Sequence, residues 1–254
     1  MKSILKSFKN TMNSIQQQKK IRHWGNIIIN NPKDAVAYFN RGNAFFKICA
    51  FDKAILDYTN AITFNPIDPD MYTNRGNAWY NKHNYDKAIE DHTNAIKLKP
   101  SFAEAYNNRG MAFDAKCEYN NAIEDYTNAI TLKSTYIEAY NNRGVSFSNK
   151  CVYDKAIDDF DTVIKINPCF PDAYYNRGLV YSLKDEYKKA IRDFNTTIEV
   201  DPNFNKLASL YYSRSVAWNK EGDTILADKD YTKSIKLEPR LVDSAFIRQK
   251  EWKQ

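Results

Sequence analysis

Apolar and small residues recur along the chain at the spacing of one helix face, in pairs of segments that repeat down the sequence. In one such pair, Tyr72, Gly76 and Trp79 mark the first segment, and Ala88 and Ala95 mark the second. A spacing of three to four residues is typical of an amphipathic α-helix, whereas a half-buried strand shows strict alternation. The pattern therefore predicts two helices per repeating block and an all-α fold.

The dipeptide Arg-Gly sets the period of these blocks. It occurs five times, each copy 34 residues after the last, at positions 41/42, 75/76, 109/110, 143/144 and 177/178. A sixth copy, Arg214-Ser215, comes three residues late, which predicts a short insertion at residues 205–207. Self-similarity at a fixed period of roughly 20 to 50 residues indicates a repeat protein.

Proline follows nearly every predicted pair of helices. Asp68 and Pro69 also predict an N-cap and a first-turn proline where one of the first helices begins. The prolines that follow the second helix of a predicted pair are Pro32, Pro66, Pro100, Pro168, Pro202 and Pro239.

In these features the sequence resembles the tetratricopeptide-repeat (TPR) family, which has a 34-residue helix–turn–helix unit with small, aromatic and proline positions at fixed offsets. The resemblance implies a right-handed superhelical solenoid of antiparallel helix pairs. Departures from the family pattern are local, such as Ser215 for a glycine and Ser134 for a proline. The six repeats are assigned to residues 35–68, 69–102, 103–136, 137–170, 171–207 and 208–241.

Both ends are predicted to cap the solenoid. Because Pro32 lies one period before Pro66, residues 1–34 are interpreted as a basic, degenerate N-terminal repeat or cap, and residues 242–254 as a C-terminal capping helix. An alternative for residues 1–33 is an amphipathic segment that lies on an anionic membrane or directs the chain to an organelle. The apolar faces expected for two N-terminal helices are Ile4, Leu5, Phe8 and Met12, then Ile21, Trp24, Ile27 and Ile28.

The net charge of +6 comes from the N-terminal segment. Residues 1–33 contain seven lysines and arginines and no acidic residue, which leaves 30 basic and 31 acidic residues in the rest of the chain. Such a nearly neutral body is poorly suited to neutralising many phosphates, so the composition disfavours a nucleic-acid partner. It also confines any membrane contact to the N-terminal 33 residues.

Residues that could carry catalysis or hold a cofactor form no recognisable group. The glycines fall in the Arg-Gly steps or at Gly25 and Gly222, which leaves no phosphate-binding loop. The cysteines have no metal-ligand spacing, and Cys49, Cys117 and Cys151 stand at the predicted turn between the two helices of a repeat. We predict no enzyme activity, no metal and no cofactor, and a cytoplasmic location, with organelle targeting through the basic N-terminus as the alternative.

Arginine in each first helix is followed sixteen residues later by aspartate. A partly buried guanidinium needs a carboxylate, so this constant spacing predicts an ion pair inside the solenoid. The alternative is a row of arginines that faces a ligand. The six pairs are Arg41 and Asp57, Arg75 and Asp91, Arg109 and Asp125, Arg143 and Asp159, Arg177 and Asp193, and Arg214 and Asp230.

An asparagine precedes the arginine in the first five repeats, and Ser213 does so in the sixth. This residue belongs to a stripe, because residues three and seven further on share its helix face. The resemblance to TPR proteins implies that this face lines a concave groove that binds a peptide. The residues predicted to contact that peptide are Asn40, Asn43, Asn74, Asn77, Asn81, Asn108, Asn142, Asn149, Asn176, Tyr175 and Tyr212.

A carboxamide both donates and accepts hydrogen bonds, so it can hold a peptide group without reading a side chain. Helices pack about 8–10 Å apart and an extended chain advances about 3.3 Å per residue, so one asparagine per repeat meets about every third ligand residue. The alternative is that these asparagines hold neighbouring helices together.

Charged residues near this stripe indicate what a ligand would carry. An acidic row, four residues before the asparagines, favours basic groups in the ligand, although acids are also common at helix starts. The row consists of Asp70, Glu104, Glu138 and Asp172. A clamp for a C-terminal carboxylate, found in some TPR co-chaperones, is not predicted, because its first-helix lysine is replaced by Phe39, Thr73, Asn107, Asn141 and Tyr175.

The sequence thus predicts a protein–protein interaction scaffold or adaptor that binds a peptide segment of a partner protein in its concave groove. The alternative is a permanent structural subunit of a larger complex, acting through its convex surface or basic N-terminus. The partner and the oligomeric state are left open.

Overall fold

The computed structural model describes residues 2–240, and the predicted capping helix at 242–254 lies outside the described residues. Over residues 2–240 the chain forms α-helices and no strand, as expected for the all-α repeat fold. It divides into two compact units, residues 1–134 (unit 1) and residues 135–254 (unit 2).

Unit 1 consists of one long helix followed by three helix pairs. Each helix packs against the next one along the chain, which gives the sequential contact pattern of a repeat protein. The helices are α1 (Lys2–Asn30), α2 (Ala35–Lys47), α3 (Phe51–Phe64), α4 (Pro69–Asn81), α5 (Tyr85–Leu98), α6 (Ala103–Ala115) and α7 (Tyr119–Leu132).

Unit 2 contains three further helix pairs with the same sequential packing. The expected insertion lies in the connection before α12, where Phe204 is buried beside Leu210. The helices are α8 (Ile137–Asn149), α9 (Tyr153–Ile166), α10 (Pro171–Leu183), α11 (Tyr187–Val200), α12 (Leu207–Lys220) and α13 (Thr224–Leu237).

The N-terminal segment departs from the two-helix prediction, because α1 is one continuous helix. No proline lies between residues 2 and 31, and the first glycine is Gly25, so nothing in the sequence ends the helix where a turn was expected. The second half of α1 packs against α2. The face predicted for the second N-terminal helix is buried at Ile28 and half-buried at Ile21, Trp24 and Ile27. Of the face predicted for the first, Met12 is exposed, and the side chains of Ile4, Leu5 and Phe8 lie outside the described part of the structure.

Several helices begin with a side-chain cap. The Asp34 carboxylate accepts a hydrogen bond of 2.8 Å from the backbone N–H of Ala37, and Asp223 caps α13 in the same way. Asp68 accepts from Asp70 N–H at 2.9 Å, with Pro69 in the first turn, as the sequence predicted.

The turn inside each helix pair requires a left-handed residue. Gly222 has φ of +88°, and Cys49, Cys117 and Cys151 occupy the equivalent turns with φ of 58° to 60°. The cysteines therefore lie where the sequence placed them, in a conformation that costs an L-residue about 1–2 kcal/mol. His83 and Asp185 hold the remaining two positions.

The glycine of each Arg-Gly step lets the two helices of a pair approach closely. A Cβ atom added to Gly110 would lie 2.8 Å from the ring of Tyr126, which is fully buried on the partner helix. The sixth pair has Ser215 instead, and the equivalent ring there, Tyr231, is only half-buried. The same contact joins Gly42 to Tyr58, Gly76 to His92, Gly144 to Phe160 and Gly178 to Phe194.

The predicted arginine–aspartate pair is present in all six helix pairs. Each guanidinium donates from Nε and Nη2 to the two oxygens of a buried carboxylate at 2.6–2.9 Å. The bond to Asp125 raises the pKa of Arg109, and burial raises the pKa of Asp125 despite its cationic partner. The structural interpretation of the arginine row is therefore confirmed.

His92 is the exception among the aromatic residues that pack on the glycines. It is fully buried, and neither ring nitrogen has a hydrogen-bond partner among the described residues. Burial, with the nearby charge of Arg109 as a smaller cause, lowers the pKa of His92 to about 3. Tyr58 at the equivalent position donates from its hydroxyl to Asn43 Oδ1 at 2.8 Å.

We expect His92→Tyr to raise the free energy of unfolding by about 1–3 kcal/mol, since it replaces unpaired buried nitrogens and offers Asn77 the bond that Tyr58 gives Asn43. In the wild type, the unfolded histidine, with a pKa near 6.5, binds a proton that the folded one does not bind until about pH 3. Stability attributable to His92 should therefore fall by about 1.4 kcal/mol per pH unit below pH 6.5.

Urea unfolding at pH 7.5 and pH 5.0 gives the change in the free energy of unfolding between the two pH values. The effect of His92 is the difference in that change between the wild type and a variant. His92→Phe is the control, because it removes the titrating group without adding a hydroxyl. Equal pH dependence in the wild type and both variants would show that His92 is not buried in its neutral form.

Candidate functional site

The predicted peptide-binding residues lie on the first helices of the repeats. In unit 1 these helices are α2, α4 and α6, and the surface formed by their asparagine stripes is called here the first-helix face. Asn40, Asn43, Asn74, Asn77 and Asn108 are each half-buried on it. Half-burial leaves part of each carboxamide accessible to a ligand.

Neighbouring repeats are joined through these carboxamides. Asn74 Nδ2 donates to Asn43 Oδ1 at 3.0 Å, and Asn108 Nδ2 donates to Asn77 Oδ1 at 3.1 Å, across 31 residues in each case. The stripe thus takes the structural role that the sequence left open as an alternative. A second role in ligand contact remains a prediction, because each carboxamide has more hydrogen-bonding groups than this bond uses.

Other members of the stripe bond within their own helix. Asn40 Nδ2 donates to the Val36 carbonyl at 2.9 Å, and the exposed Asn81 donates to the Asn77 carbonyl at 2.8 Å. Neither bond ties the side chain to a neighbouring repeat.

Three of the predicted residues meet in one pocket, called here the asparagine pocket. It has a volume of about 300 Å³ and is lined by Asn43, Phe46, Lys47, Tyr58, Asn74 and Asn77. The aromatic rings give it an apolar wall, and the carboxamides give it donors and acceptors. A combination of apolar surface with a few polar groups is typical of ligand sites.

A second cavity, called here the basic pocket, lies between α1 and α2 and has a volume of about 360 Å³. Its α1 side was not among the predicted site residues, because all of those were taken from the first helices of the six repeats. The clue in the sequence was the acid-free composition of residues 1–33. Gln17, Lys20, His23, Trp24, Asn40, Asn43, Ala44 and Lys47 line it.

Unit 2 repeats the inter-repeat bond with a different acceptor. Asn176 Nδ2 donates to Asn141 Oδ1 at 3.0 Å, since the stripe position in that repeat is Val145, which has no acceptor. Asn142 is half-buried and Asn149 is exposed on α8.

Tyr175, predicted to face a ligand, lies in the core instead. Only 7% of it is exposed, and its ring packs against Phe194 and Phe204 at centroid distances of 6.1 and 5.3 Å. Burial raises the pKa of its hydroxyl, which is hydrogen-bonded with Ser213. The late sixth repeat brings Phe204 onto this ring, so the prediction was wrong for Tyr175, whereas Tyr212 is half-buried on α12.

One residue of the acidic row forms an ion pair within the protein. Lys206 Nζ lies 3.1 Å from Asp172 Oδ1, so that carboxylate already has a cation within unit 2. Asp70, Glu104 and Glu138 are exposed.

Within residues 2–240, no cluster of histidine, cysteine and acidic residues is suited to hold a metal ion. No helix in the same range is both long enough and apolar enough to cross a membrane.

The tetratricopeptide-repeat family model matches residues 35–68, 69–102, 103–136 and 171–204, which is more than half of the chain. The chain belongs to the tetratricopeptide-repeat family. A second TPR model matches residues 153–185. TPR arrays are protein-interaction scaffolds and generally not enzymes, so this chain is a member of a scaffold family.

Solved structures of other TPR proteins share the fold. MamA is 28% identical, with a TM-score of 0.59 over 69% of this chain and 94% of MamA. YrrB, a TPR protein with an unusual peptide-binding site, is 23% identical with a TM-score of 0.58, over 71% of this chain and 93% of YrrB. PilF from Pseudomonas aeruginosa is 16% identical with a TM-score of 0.70, over 81% of this chain and 92% of PilF. No curated protein matches the sequence.

The bond between Asn77 and Asn108 should be measurable as a coupling energy. We expect Asn108→Ala to lower the free energy of unfolding by about 0.5–1.5 kcal/mol, and the double variant Asn77→Ala/Asn108→Ala to show a coupling of similar size. Asn81→Ala, which loses only a bond within its own exposed turn, should change stability by less than about 0.5 kcal/mol. Additive effects of Asn77 and Asn108 in urea unfolding would argue against the inter-repeat bond.

Proposed function

We propose that this TPR protein is an interaction scaffold that binds an extended segment of a partner protein along the first-helix face. The observation that carries the proposal is the asparagine pocket, where Asn43, Asn74 and Asn77 line one cavity with two aromatic rings. These residues were predicted from their register and from the resemblance to TPR proteins, and a cavity with both apolar and polar lining supports a ligand site there.

The hydrogen bonds of the pocket leave it suited to a peptide backbone. Asn43 Oδ1 accepts from both Tyr58 and Asn74, which fixes the orientation of its carboxamide. The Nδ2 group of a carboxamide so oriented can donate to a ligand carbonyl without first losing side-chain freedom. Recognition of backbone groups would let the pocket accept many different ligand side chains. Contacts of ligand side chains outside the pocket would set the preference for a particular sequence.

A permanent structural subunit is the second candidate, and exposed apolar side chains favour it. Leu56 on α3 is 63% exposed, and Ile67 in the connection before α4 is 75% exposed. Single exposed apolar residues are common, but a partner that covers them would act outside the first-helix face.

Selection of random nonapeptides displayed on phage against the intact chain tests the proposal. Nine extended residues span about 30 Å, enough to pass the three first helices of unit 1. We expect enriched peptides that, as synthetic amidated peptides, lose affinity at least about tenfold for Asn43→Leu/Asn77→Leu, which removes two carboxamides of the pocket with their Nδ2 donors.

Because those substitutions also remove inter-repeat bonds, Gly178→Ala is the control for lost stability. Its Cβ would lie 2.8 Å from the Phe194 ring in unit 2, so it destabilises the chain away from the pocket. Equal loss of binding by both variants, or no enrichment by the intact chain, would contradict peptide binding at the asparagine pocket.

A further inference from the structure

The basic pocket has a composition that sets it apart from the rest of the first-helix face. Lys20 and His23 from α1 and Lys47 from the end of α2 line it, together with the carboxamides of Asn40 and Asn43. None of its described lining residues is acidic, and residues 1–33 contain no aspartate or glutamate at all. The pocket therefore gathers cationic donors with no compensating charge.

In three of the other repeats, the lysine that follows the first helix is already paired. Lys116 Nζ lies 2.7 Å from Asp86 Oδ1, and Lys82 and Lys184 form ion pairs with Asp52 and Asp154 in the same register. Each of these carboxylates lies 30 residues before its lysine, on the preceding second helix.

Lys47 differs from those lysines in position and in charge environment. Its equivalents in the next four repeats are Asn81, Ala115, Asn149 and Leu183, and a lysine returns only at Lys220 in the sixth repeat, so within unit 1 the cation is particular to the first repeat. No carboxylate among the described residues lies within ion-pair distance of Lys20 or Lys47. Two lysines that share a cavity without a counter-ion repel each other, and an anionic group between them relieves that repulsion.

The basic pocket adjoins the asparagine pocket. Asn43 and Lys47 line both cavities, so a segment held in one has direct access to the other. On the basic-pocket side, Ala44 is buried and Trp24 is half-buried, which gives that cavity an apolar wall. Lys20 and Lys47 are exposed, so their ammonium groups are open to a ligand that enters from solvent.

We propose that the basic pocket binds a carboxylate of the same peptide segment that occupies the asparagine pocket, with Lys20 and Lys47 as its donors. This inference rests on the proposed function and adds an acidic residue to the description of the partner. A carboxylate can accept from the ammonium groups of two lysines that line one cavity and from the Nδ2 groups of Asn40 and Asn43, whereas a neutral side chain leaves the lysines unpaired.

The peptide selection described above tests the inference with a second pair of variants. We expect aspartate or glutamate to be enriched at one fixed position among peptides selected by the intact chain. Selection against Lys20→Gln/Lys47→Gln should still yield peptides but without that acidic position. Lys19→Gln/Lys33→Gln, which removes the same charge from exposed residues that line neither pocket, should keep it.

Affinity measurements then assign the effect to one carboxylate. For an enriched, C-terminally amidated peptide, replacing its acid with glutamine should weaken binding to the intact chain about tenfold, with little change for Lys20→Gln/Lys47→Gln. Lys20→Arg/Lys47→Arg should retain the preference, since it keeps both charges. If the preference is met only by peptides with a free C-terminus, the carboxylate is terminal rather than a side chain.

The outcomes separate the two proposals. Peptides enriched without an acidic position, or an acidic position that survives Lys20→Gln/Lys47→Gln, would overturn the basic pocket while leaving peptide binding intact. No enrichment at all would overturn both. Displacement of the selected peptide by a single-stranded RNA decamer, with loss of RNA binding in Lys20→Gln/Lys47→Gln, would assign the pocket to phosphate and also overturn the carboxylate.

Discussion

The ion pair between a first-helix arginine and a second-helix aspartate is the interaction on which the rest of each repeat depends. In unit 1, Arg109 also donates from Nη1 to Thr93 at 3.0 Å, so it joins its own helix pair to the preceding second helix. Its guanidinium lies 5.6 Å from the ring of Tyr106, one turn earlier. Because Asp125 is buried, removing the arginine would leave an unpaired carboxylate at a cost of about 3–5 kcal/mol. The pair therefore fixes the orientation of the two helices before any surface residue is considered.

That constraint explains why the neighbouring asparagines can serve two purposes. With the arginine directed toward the second helix, the residue before it faces the adjacent first helix, where Asn74 and Asn108 bond the preceding repeat. The bond holds each carboxamide in place and uses only part of its hydrogen-bonding capacity. A pre-ordered polar surface costs less entropy to bind than a flexible one, so the structural role supports a binding role.

The sequence predicted the fold well because its strongest signals are local and periodic. The Arg-Gly period, the spacing from Arg109 to Asp125, and the turn position of Cys117 all depend on helix geometry, which recurs unchanged in each repeat. It predicted the N-terminal end less well. Residues 1–33 lack the Arg-Gly step and share little with the repeats beyond the register of Pro32, which suggested a turn in what is one helix, α1. Tyr175 was misplaced for a related reason, because the insertion before α12 brings Phe204 onto its ring.

Site-specific photo-crosslinking tests most directly the proposal that the partner binds the first-helix face. Asn81 on α4 and Leu56 on α3 are both exposed, and each can be replaced by p-benzoylphenylalanine without loss of a core contact. After irradiation in native extract, the account predicts a discrete protein adduct from position 81 and none from position 56. An adduct from position 56 alone would contradict it, and would identify the second helices as the surface that the partner covers.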